Sequence, residues 1–252
     1  MSGGEEQRAE FGTVATWTAE VVGELGDEYA IVAGCRGSGD PGLLEWLARS
    51  CGVGPGVSLV DVGAGVGGAS AWAAEKYGVR PVLVEPMEDA CRAERRIFGR
   101  TPICATGDRL PFGEGAFDVA WCIGVLCTVH DKLALLRELR RVLRPGGSVG
   151  LLVLVAEPGL HSELPRGNEF PSLDELGDLL GQTGLSIREL REAPGGGEPA
   201  EWRQKAEHVD ELLAKAHGDD PRWLEAEEQS SRLAHLLTSR QLTRRLVHAV
   251  KS

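Results

Sequence analysis

The stretch that decides the fold is Val-Asp-Val-Gly-Ala-Gly-Val-Gly-Gly, residues 60–68. The apolar run Val57–Val62 predicts a buried strand, and the Ala-rich run Gly68–Tyr77 predicts a helix after it. Three of the glycines fit the G-x-G-x-x-G pattern, in which the backbone turns sharply and approaches a ligand closely. Free N–H groups at the helix start favour an anionic or polar ligand. Taken alone, the pattern is typical of a nucleotide-binding loop, with a purely structural tight turn as the alternative.

Strand-like and helix-like segments alternate on both sides of this loop. Short apolar runs predict strands, and apolar residues at helical spacing predict helices. The further predicted strands are Arg80–Glu85, Pro102–Ala105, Phe117–Ile123 and Ser148–Val155, and the predicted helices among them are Glu88–Phe98 and Asp131–Leu143. This alternation predicts an α/β fold with a mostly parallel sheet covered on both faces.

The flanks of this core predict four parts of the chain. We expect an N-terminal helical segment over residues 1–50, a core over 51–193, a helical cap over 194–241 and a final core strand over 242–252. In the cap, Asp220 is placed to begin a helix whose first turn holds Pro221. The segment Leu242–Val250 fits either a strand or a helix, and we favour the strand.

Composition excludes several classes of protein. The 252 residues are 42% hydrophobic, which excludes a largely disordered chain, and no apolar run approaches the ~20 residues that cross a bilayer. The net charge of −11 would repel a phosphate backbone, so we expect no nucleic-acid partner and interpret the basic stretch Arg137–Arg144 as a solvated helix face. The acidic residues 1–10 lack a cationic start followed by an apolar stretch, so we expect no secretory leader. With six cysteines and no C-x-x-C pair, this predicts reduced thiols and a cytoplasmic location.

An acid after the second predicted strand gives the next signal. Glu85 closes that strand 17 residues after Gly68. A carboxylate at this place can accept two hydrogen bonds from a ribose diol. Nicotinamide enzymes and adenosyl-group binders both use this device, and a solvent-exposed residue at a strand end is the alternative.

Four further motifs separate these candidates: Thr106–Phe112 (TGDRLPF), Phe117–Val119 (FDV), Gly124–Asp131 (GVLCTVHD) and Leu143–Gly147 (LRPGG). With these motifs in this order and spacing, the chain resembles the class I S-adenosylmethionine-dependent methyltransferases. The resemblance is to the small-molecule branch, with its quinone and natural-product methyltransferases, and it covers roughly residues 57–157. It implies a Rossmann-like, doubly wound, seven-stranded sheet whose last strand is antiparallel. It also implies S-adenosylmethionine as the cofactor and S-adenosylhomocysteine as the product.

The resemblance implies a role for each matched residue. The glycine loop would pass beside the methionine part of the cofactor, Asp61 would orient that loop, and Glu85 would hold the ribose hydroxyls. The implied cofactor-binding set is Asp61, Gly63, Ala64, Gly65, Gly67, Glu85, Pro86, Met87, Asp108, Arg109, Cys122, Ile123 and Gly124. Within it, Pro86, Met87, Asp108 and Arg109 would surround the adenine. In the N-terminal segment, Tyr29 and Arg36 are candidate contacts on the cofactor's open side, and Arg36 would suit a carboxylate.

The implied chemistry is a direct displacement of an activated methyl group. The protein mainly has to align the acceptor and exclude water. A base is needed only if the acceptor carries a proton of high pKa. His130 and His161 are the candidates, although Cys127-Thr128 stand where many relatives have a polar or His-containing pair, which leaves the identity of the base open. No cluster of acids suggests a metal site.

The predicted function is therefore methyl transfer to a small-molecule metabolite, in a setting of secondary metabolism. One alternative is a nicotinamide-dependent oxidoreductase, which is disfavoured because neither Tyr29 nor Tyr77 begins a Y-x-x-x-K pair. Another is a protein that binds the cofactor without methylating. The sequence is compatible with a homodimer and does not identify the acceptor.

Overall fold

A six-stranded sheet forms the centre of the computed structural model, which describes residues 3–37, 39–160, 162–193, 195 and 197–252. Its strands are β1 (Leu59–Val62), β2 (Val82–Val84), β3 (Phe117–Ile123), β4 (Leu143–Ala156), β5 (Leu185–Glu192) and β6 (Leu242–Lys251). Across the sheet they are ordered β2-β1-β3-β4-β6-β5.

The first four strands of this order are parallel, and β6 runs antiparallel between β4 and β5. The prediction of a final antiparallel strand is thereby confirmed. The Arg144–Gly147 part of the LRPGG motif lies inside β4 as a break in register, because pairing with β3 passes from Leu143 directly to Ser148. The strands that carry the glycine loop and its neighbours all point the same way, so their carboxyl ends meet at one edge.

The prediction of seven strands is wrong, because the segment Pro102–Ala105 does not form a strand. Ile103 alone bridges to β2, with its N–H donating to the Leu83 carbonyl at 2.8 Å and its carbonyl accepting from the Glu85 N–H at 3.0 Å. Pro102 has no N–H to donate to a ladder, and the chain turns at Gly107 shortly afterwards. One bridging residue thus holds the place predicted for a strand.

Nine α-helices are assigned among the described residues: α1 (Gly3–Leu25), α2 (Ala30–Gly34), α3 (Pro41–Ser50), α4 (Gly68–Tyr77), α5 (Glu88–Phe98), α6 (Lys132–Val142), α7 (Leu173–Thr183), α8 (Ala200–His217) and α9 (Pro221–Thr238). Local signals fix several of their starts. Asp220 accepts from the Arg222 N–H at the start of α9, as predicted. Ser172 and Glu175 form a capping box at α7.

Apolar clusters cover both faces of the sheet. On one face, leucines of α6 and α7, among them Leu135 and Leu176, pack against alternate strand residues such as Val60. On the other face, Leu44 and Leu47 of α3 pack against the strand residues that point the opposite way, such as Leu59. Both faces are therefore buried, as the near-continuous apolar strands predict.

A third apolar cluster joins the N-terminal helices to α8 and α9, which precede the last strand. Trp17 and Val21 of α1 pack with Val209 and Leu213 of α8 and with Trp223 of α9. The Trp17 ring stacks on the His217 ring with centroids 4.0 Å apart. We call α1, α2, α8 and α9 together the helical layer. In the part of the chain that the structure describes, none of the helices has the length and apolar character of a membrane span.

Candidate cofactor-binding site

The loops after β1 and β2 are joined at the carboxyl edge of the sheet. The N–H groups of Gly63 and Ala64 both donate to the Val84 carbonyl, at 2.8 and 3.1 Å. Because β1 lies between β2 and β3, the segments that follow these three strands lie side by side. Ligands of open α/β sheets bind at this edge.

Packing accounts for three glycines of the loop. Gly63, with φ 76°, has no room for a side chain because a Cβ there would collide with Val125. A Cβ on Gly67, with φ 85°, would lie 2.8 Å from Cγ of Glu94. A Cβ on Gly68 would run into the backbone of Gly34 in α2. At these three positions glycine serves close packing, which is the structural reading of the motif.

Gly65 differs from its neighbours. Its φ is 59°, and an added Cβ would meet only Cζ of Phe11, at 3.5 Å. Its N–H donates to Oε2 of Glu85 at 2.8 Å. Gly65 therefore presents bare backbone at the carboxyl edge beside a carboxylate, which is the arrangement that a close-fitting polar ligand needs.

Glu85 connects the two loops. Its side chain, 2% exposed, accepts the Gly65 N–H through one oxygen and the Met87 N–H through the other, the latter at 3.0 Å. Charge-assisted bonds of this kind are about twice as strong as neutral ones. The sequence left two readings of Glu85 open, a ribose contact and a solvent-exposed strand end; the structure buries the residue and shows that it also shapes the loop around the predicted site.

Two more buried groups stand behind the loop. Asp61 accepts the Ser70 hydroxyl at 2.8 Å, which ties β1 to α4, and burial raises the pKa of Asp61 to about 6. Glu94 of α5 is fully buried beside Gly67, and neither of its oxygens has a hydrogen-bond partner among the described residues. Burial, opposed mainly by Arg100, raises the pKa of Glu94 to about 7. Neither Ser70 nor Glu94 belongs to a recognised motif, so the sequence patterns did not predict a role for them.

The predicted adenine-side residues lie at the same edge with different exposure. Pro86 and Met87 are half-buried, whereas Asp108 and Arg109 are exposed. The latter two sit in a turn closed by a bond from the Arg109 N–H to the Thr106 carbonyl at 3.2 Å.

The members of the implied cofactor-binding set at the end of β3 do not share one environment. Cys122 and Ile123 are buried on opposite faces of the sheet, in its two separate apolar clusters. Gly124, with φ 74°, is the residue at which the chain leaves the strand, and an added Cβ would lie 2.9 Å from the Gly37 carbonyl. Gly124 therefore brings the loop before α3 against the end of β3.

Tyr29 and Arg36 turn toward the helical layer. The Tyr29 ring lies 5.8 Å from the His208 ring, and Arg36 pairs with Asp210 at 3.2 Å. The Arg36 guanidinium also lies 5.7 Å from the centre of the Trp223 ring. The structure thus brings both residues to α8 and α9, and their predicted contact with a cofactor stays a prediction.

His130 lies in the segment between β3 and α6. Its Nδ1 is 3.0 Å from Oε1 of Glu169, whose other oxygen accepts from Lys132 at 3.2 Å. The pKa of Glu169 is lowered, first by His130 and then by Lys132. The imidazole is exposed and oriented by a carboxylate, an arrangement suited to a base. The second predicted base, His161, lies outside the described residues. Within the described ranges, no group of three or more His, Cys, Asp or Glu is arranged to hold a metal ion.

Comparison with known proteins agrees with this geometry. Residues 60–151 match the family described as a methyltransferase domain. Methyltransferase GfsG of Streptomyces halstedii is 28% identical over 165 residues, covering 59% of this chain and 59% of that protein. Among solved structures, a 4+2 cyclase, SpnF, superposes with a TM-score of 0.67 at 21% identity, covering 83% of this chain and 79% of SpnF. Geranyl diphosphate C-methyltransferase of Streptomyces coelicolor A3(2), solved with S-adenosyl-L-homocysteine, has a TM-score of 0.61 at 17% identity, covering 84% and 76%.

The match over residues 60–151 and the shared fold agree with a resemblance to the class I S-adenosylmethionine-dependent methyltransferases of the small-molecule branch. The resemblance predicted from the sequence is confirmed. The chain matches about three fifths of the length of its Streptomyces halstedii relative. The family's cofactor is S-adenosylmethionine, with S-adenosylhomocysteine as product. The bare backbone of Gly65 and the adjoining carboxylate of Glu85 fit such a ligand.

Proposed function

We propose that this protein transfers a methyl group from S-adenosylmethionine to a small-molecule metabolite. The observation that carries the proposal is the contact between Gly65 and Glu85 at the carboxyl edge of the sheet. It joins an uncovered backbone loop to a buried carboxylate at the place where sheets of this kind bind ligands. S-adenosylmethionine, when bound, supplies a methyl group already activated by the sulfonium.

The chain's own residues then have three tasks. Asp61 and Glu85 hold the loops, and their acidic character suits a ligand that carries a positive charge. Met87 and Asp108 are proposed to contact the adenine, as the family motif implies. The remaining task is to align the acceptor and keep water out, which accounts for much of the rate in a displacement.

We infer that the acceptor enters between α9 and the segment after β4. A cleft of about 470 Å³ opens there, lined by Ser162, Glu163, Ser231, Arg232, His235 and Leu236. Its lining residues follow β4 in the chain or precede β6. The end of β4 and the start of β6 are joined by a hydrogen bond from the Glu157 N–H to the Gln241 carbonyl at 3.0 Å. This size and mixed lining suit a small organic acceptor. The predicted division at residues 50, 193 and 241 then corresponds to a cofactor cover, a core and an acceptor cap.

We also propose that the protein acts in the cytoplasm, that it has no nucleic-acid partner and that its fold is compatible with a homodimer. The net charge of −11 supports the exclusion of nucleic acid.

Two measurements test the function. Calorimetric titration with S-adenosylhomocysteine should show binding, with NADP as the negative control that tests the oxidoreductase alternative. Incubation with methyl-labelled S-adenosylmethionine and fractionated small-molecule extracts should then label an acceptor. If the protein binds NADP and does not bind S-adenosylhomocysteine, the proposal is overturned.

The predicted role of His130 is tested in the same assay. Replacement His130→Ala should lower turnover of an acceptor with a high pKa while leaving S-adenosylhomocysteine affinity unchanged. Glu169→Gln should lower turnover less, because it removes only the group that orients the ring. Unchanged turnover in His130→Ala would remove this residue from the mechanism.

A second candidate function is a reaction in which the cofactor is bound but no methyl group moves. The observation that favours it is the fold match to SpnF, which is described as a cyclase. Mass analysis of the converted acceptor separates the two functions. Methyl transfer adds a CH₂ unit, whereas a cyclisation leaves the mass unchanged.

A further inference from the structure

Two thiols lie beside the segment that leads from β2 to α5. The Cys91 thiol donates to the Glu85 carbonyl at 3.4 Å, and the Cys104 thiol donates to the Pro86 carbonyl at 3.6 Å. The two acceptors belong to consecutive residues, so the sulfur atoms bind the carbonyls of two successive peptide units. Cys91 lies at the end of the first turn of α5, and Cys104 directly follows the bridging Ile103.

The two cysteines differ in accessibility. Cys104 is exposed, whereas Cys91 is 3% exposed. The pKa of Cys91 is raised to about 12, mainly by burial and next by the neighbouring Cys104 thiol. Because Cys104 is the exposed member of the pair, it is the sulfur that a reagent from solvent meets first. The other four free cysteines, Cys35, Cys51, Cys122 and Cys127, are all buried.

We propose that Cys91 and Cys104 form an oxidisable pair, whose disulfide weakens cofactor binding by releasing the carbonyls of Glu85 and Pro86. The effect on the cofactor rests on the proposed function, while the disulfide itself does not.

The chemistry requires an external disulfide as the oxidant. The Cys104 thiolate attacks one sulfur of a low-molecular-weight disulfide, forms a mixed disulfide and expels one small thiolate. The Cys91 sulfur, after losing its proton to solvent, then attacks the Cys104 sulfur and expels the second small thiol. The protein loses two hydrogens, and the external disulfide is reduced to two thiols. The high pKa of Cys91 makes the second step the slow one.

The consequence for the site follows from the lost donors. Each thiol gives up its hydrogen, so the two carbonyls lose the hydrogen bonds that the thiols donate to them in the reduced protein. Glu85 and Met87 lie on this same segment, and their bond fixes its path. Losing one or two hydrogen bonds there should weaken S-adenosylhomocysteine binding about three- to tenfold.

The test treats the full-length protein with oxidised glutathione and compares it with protein kept in dithiothreitol. Intact mass and peptide mapping should show a transient glutathione adduct on Cys104, followed by a Cys91–Cys104 link. Titration with S-adenosylhomocysteine should show the weaker binding, and dithiothreitol should restore it. Cys104→Ser should form neither adduct nor link, and its affinity should not respond to the oxidant. Cys91→Ser should stop at the adduct.

The outcomes separate the two proposals. Thiols that stay free under oxidant concentrations that modify the urea-unfolded protein would overturn the pair, as would a link from Cys104 to another cysteine. A Cys91–Cys104 link with unchanged affinity would overturn its effect on the site. If the link forms but neither redox state binds S-adenosylhomocysteine, the pair stands and the proposed function fails.

Discussion

The carboxyl edge of the sheet and the helical layer are held together in different ways. At the edge, buried carboxylates bind backbone N–H and hydroxyl groups, as Glu85 binds Gly65 and Asp61 binds Ser70. In the helical layer, aromatic rings pack on one another, and the polar link between Arg36 and Asp210 is only partly exposed. Short directional bonds specify one geometry, whereas ring packing tolerates small displacements. Under the proposed function, the edge is the preformed part of the site, and the layer is the part that adjusts to an acceptor.

The largest effect on stability should come from the helical layer. Trp17→Ala removes a ring that is 8% exposed and that contacts both His217 and Trp223. We expect a loss of about 3–5 kcal/mol in the free energy of unfolding, measured by urea denaturation. His217→Ala, which removes only the stacked partner, should cost about 0.5–1.5 kcal/mol. A loss in Trp17→Ala no greater than that of His217→Ala would contradict the packing role of Trp17.

A pair of glycine variants separates packing from ligand contact at the edge. Gly63→Ala forces a side chain into Val125 and should lower the free energy of unfolding by about 2–3 kcal/mol. Gly65→Ala meets only Phe11 and carries only the strain of its φ, about 1–2 kcal/mol. Although Gly65→Ala costs less stability than Gly63→Ala, it should weaken S-adenosylhomocysteine binding, and Gly65→Val should weaken that binding further. Equal stability losses in the two alanine variants would contradict the distinction drawn between these glycines.

The buried carboxyl of Glu94 should make stability fall as pH rises. Its pKa is about 7 in the folded protein, against about 4.3 when unfolded, so between these values the folded state holds the extra proton. The protonated carboxyl costs nothing below about pH 4, and the penalty grows until the pH passes 7. Glu94→Gln should therefore be more stable than the parent by about 1–3 kcal/mol at pH 8, with the difference shrinking toward pH 4.

A carboxylate with the opposite shift provides the control for Glu94. The pKa of Glu138 is lowered, first by its hydrogen bond with Arg141. Its contribution to stability is present above the unfolded pKa and is lost as pH falls through the lower folded value. Glu138→Gln should thus be less stable than the parent at pH 8. A Glu94→Gln curve parallel to that of the parent, measured by thermal unfolding from pH 4 to 8, would contradict the assignment.

The smallest effect should come from the polar link of the helical layer. Asp210→Asn breaks an ion pair whose side chains are 31% and 53% exposed. Exposed pairs of this kind contribute about 0–1 kcal/mol. We expect a shift of the melting temperature close to the error of the measurement and an unchanged affinity for S-adenosylhomocysteine. A large loss of affinity would show that the Arg36 pair positions the cofactor and would remove the contrast between the two regions.

Sequence patterns predicted the edge better than the layer because the edge is built from local signals. The loop of residues 60–68 follows its strand and begins its helix, and Glu85 closes the next strand. The bond from Gly65 to Glu85 depends on the register of β1 with β2, which no local pattern contains.

Long-range packing explains what the sequence did not predict. Tyr29 and Arg36 turn to α8, about 180 residues later in the chain, a partnership that spacing alone does not reveal. Ile103 forms one bridge instead of a strand because Pro102 lacks an N–H. The burial of Glu94 follows from its contact with Gly67, again across two separate elements.

The most direct test of the central claim is a calorimetric titration of S-adenosylhomocysteine into the wild-type protein, Glu85→Gln and the matched control Glu88→Gln. Glu88 lies three residues away on the exposed start of α5. If Glu85 both shapes the loop and holds the ligand, its replacement should weaken binding by about 1.5–3 kcal/mol, or roughly 10- to 150-fold, while Glu88→Gln binds as the wild type does. Equal affinities in all three proteins would contradict the account.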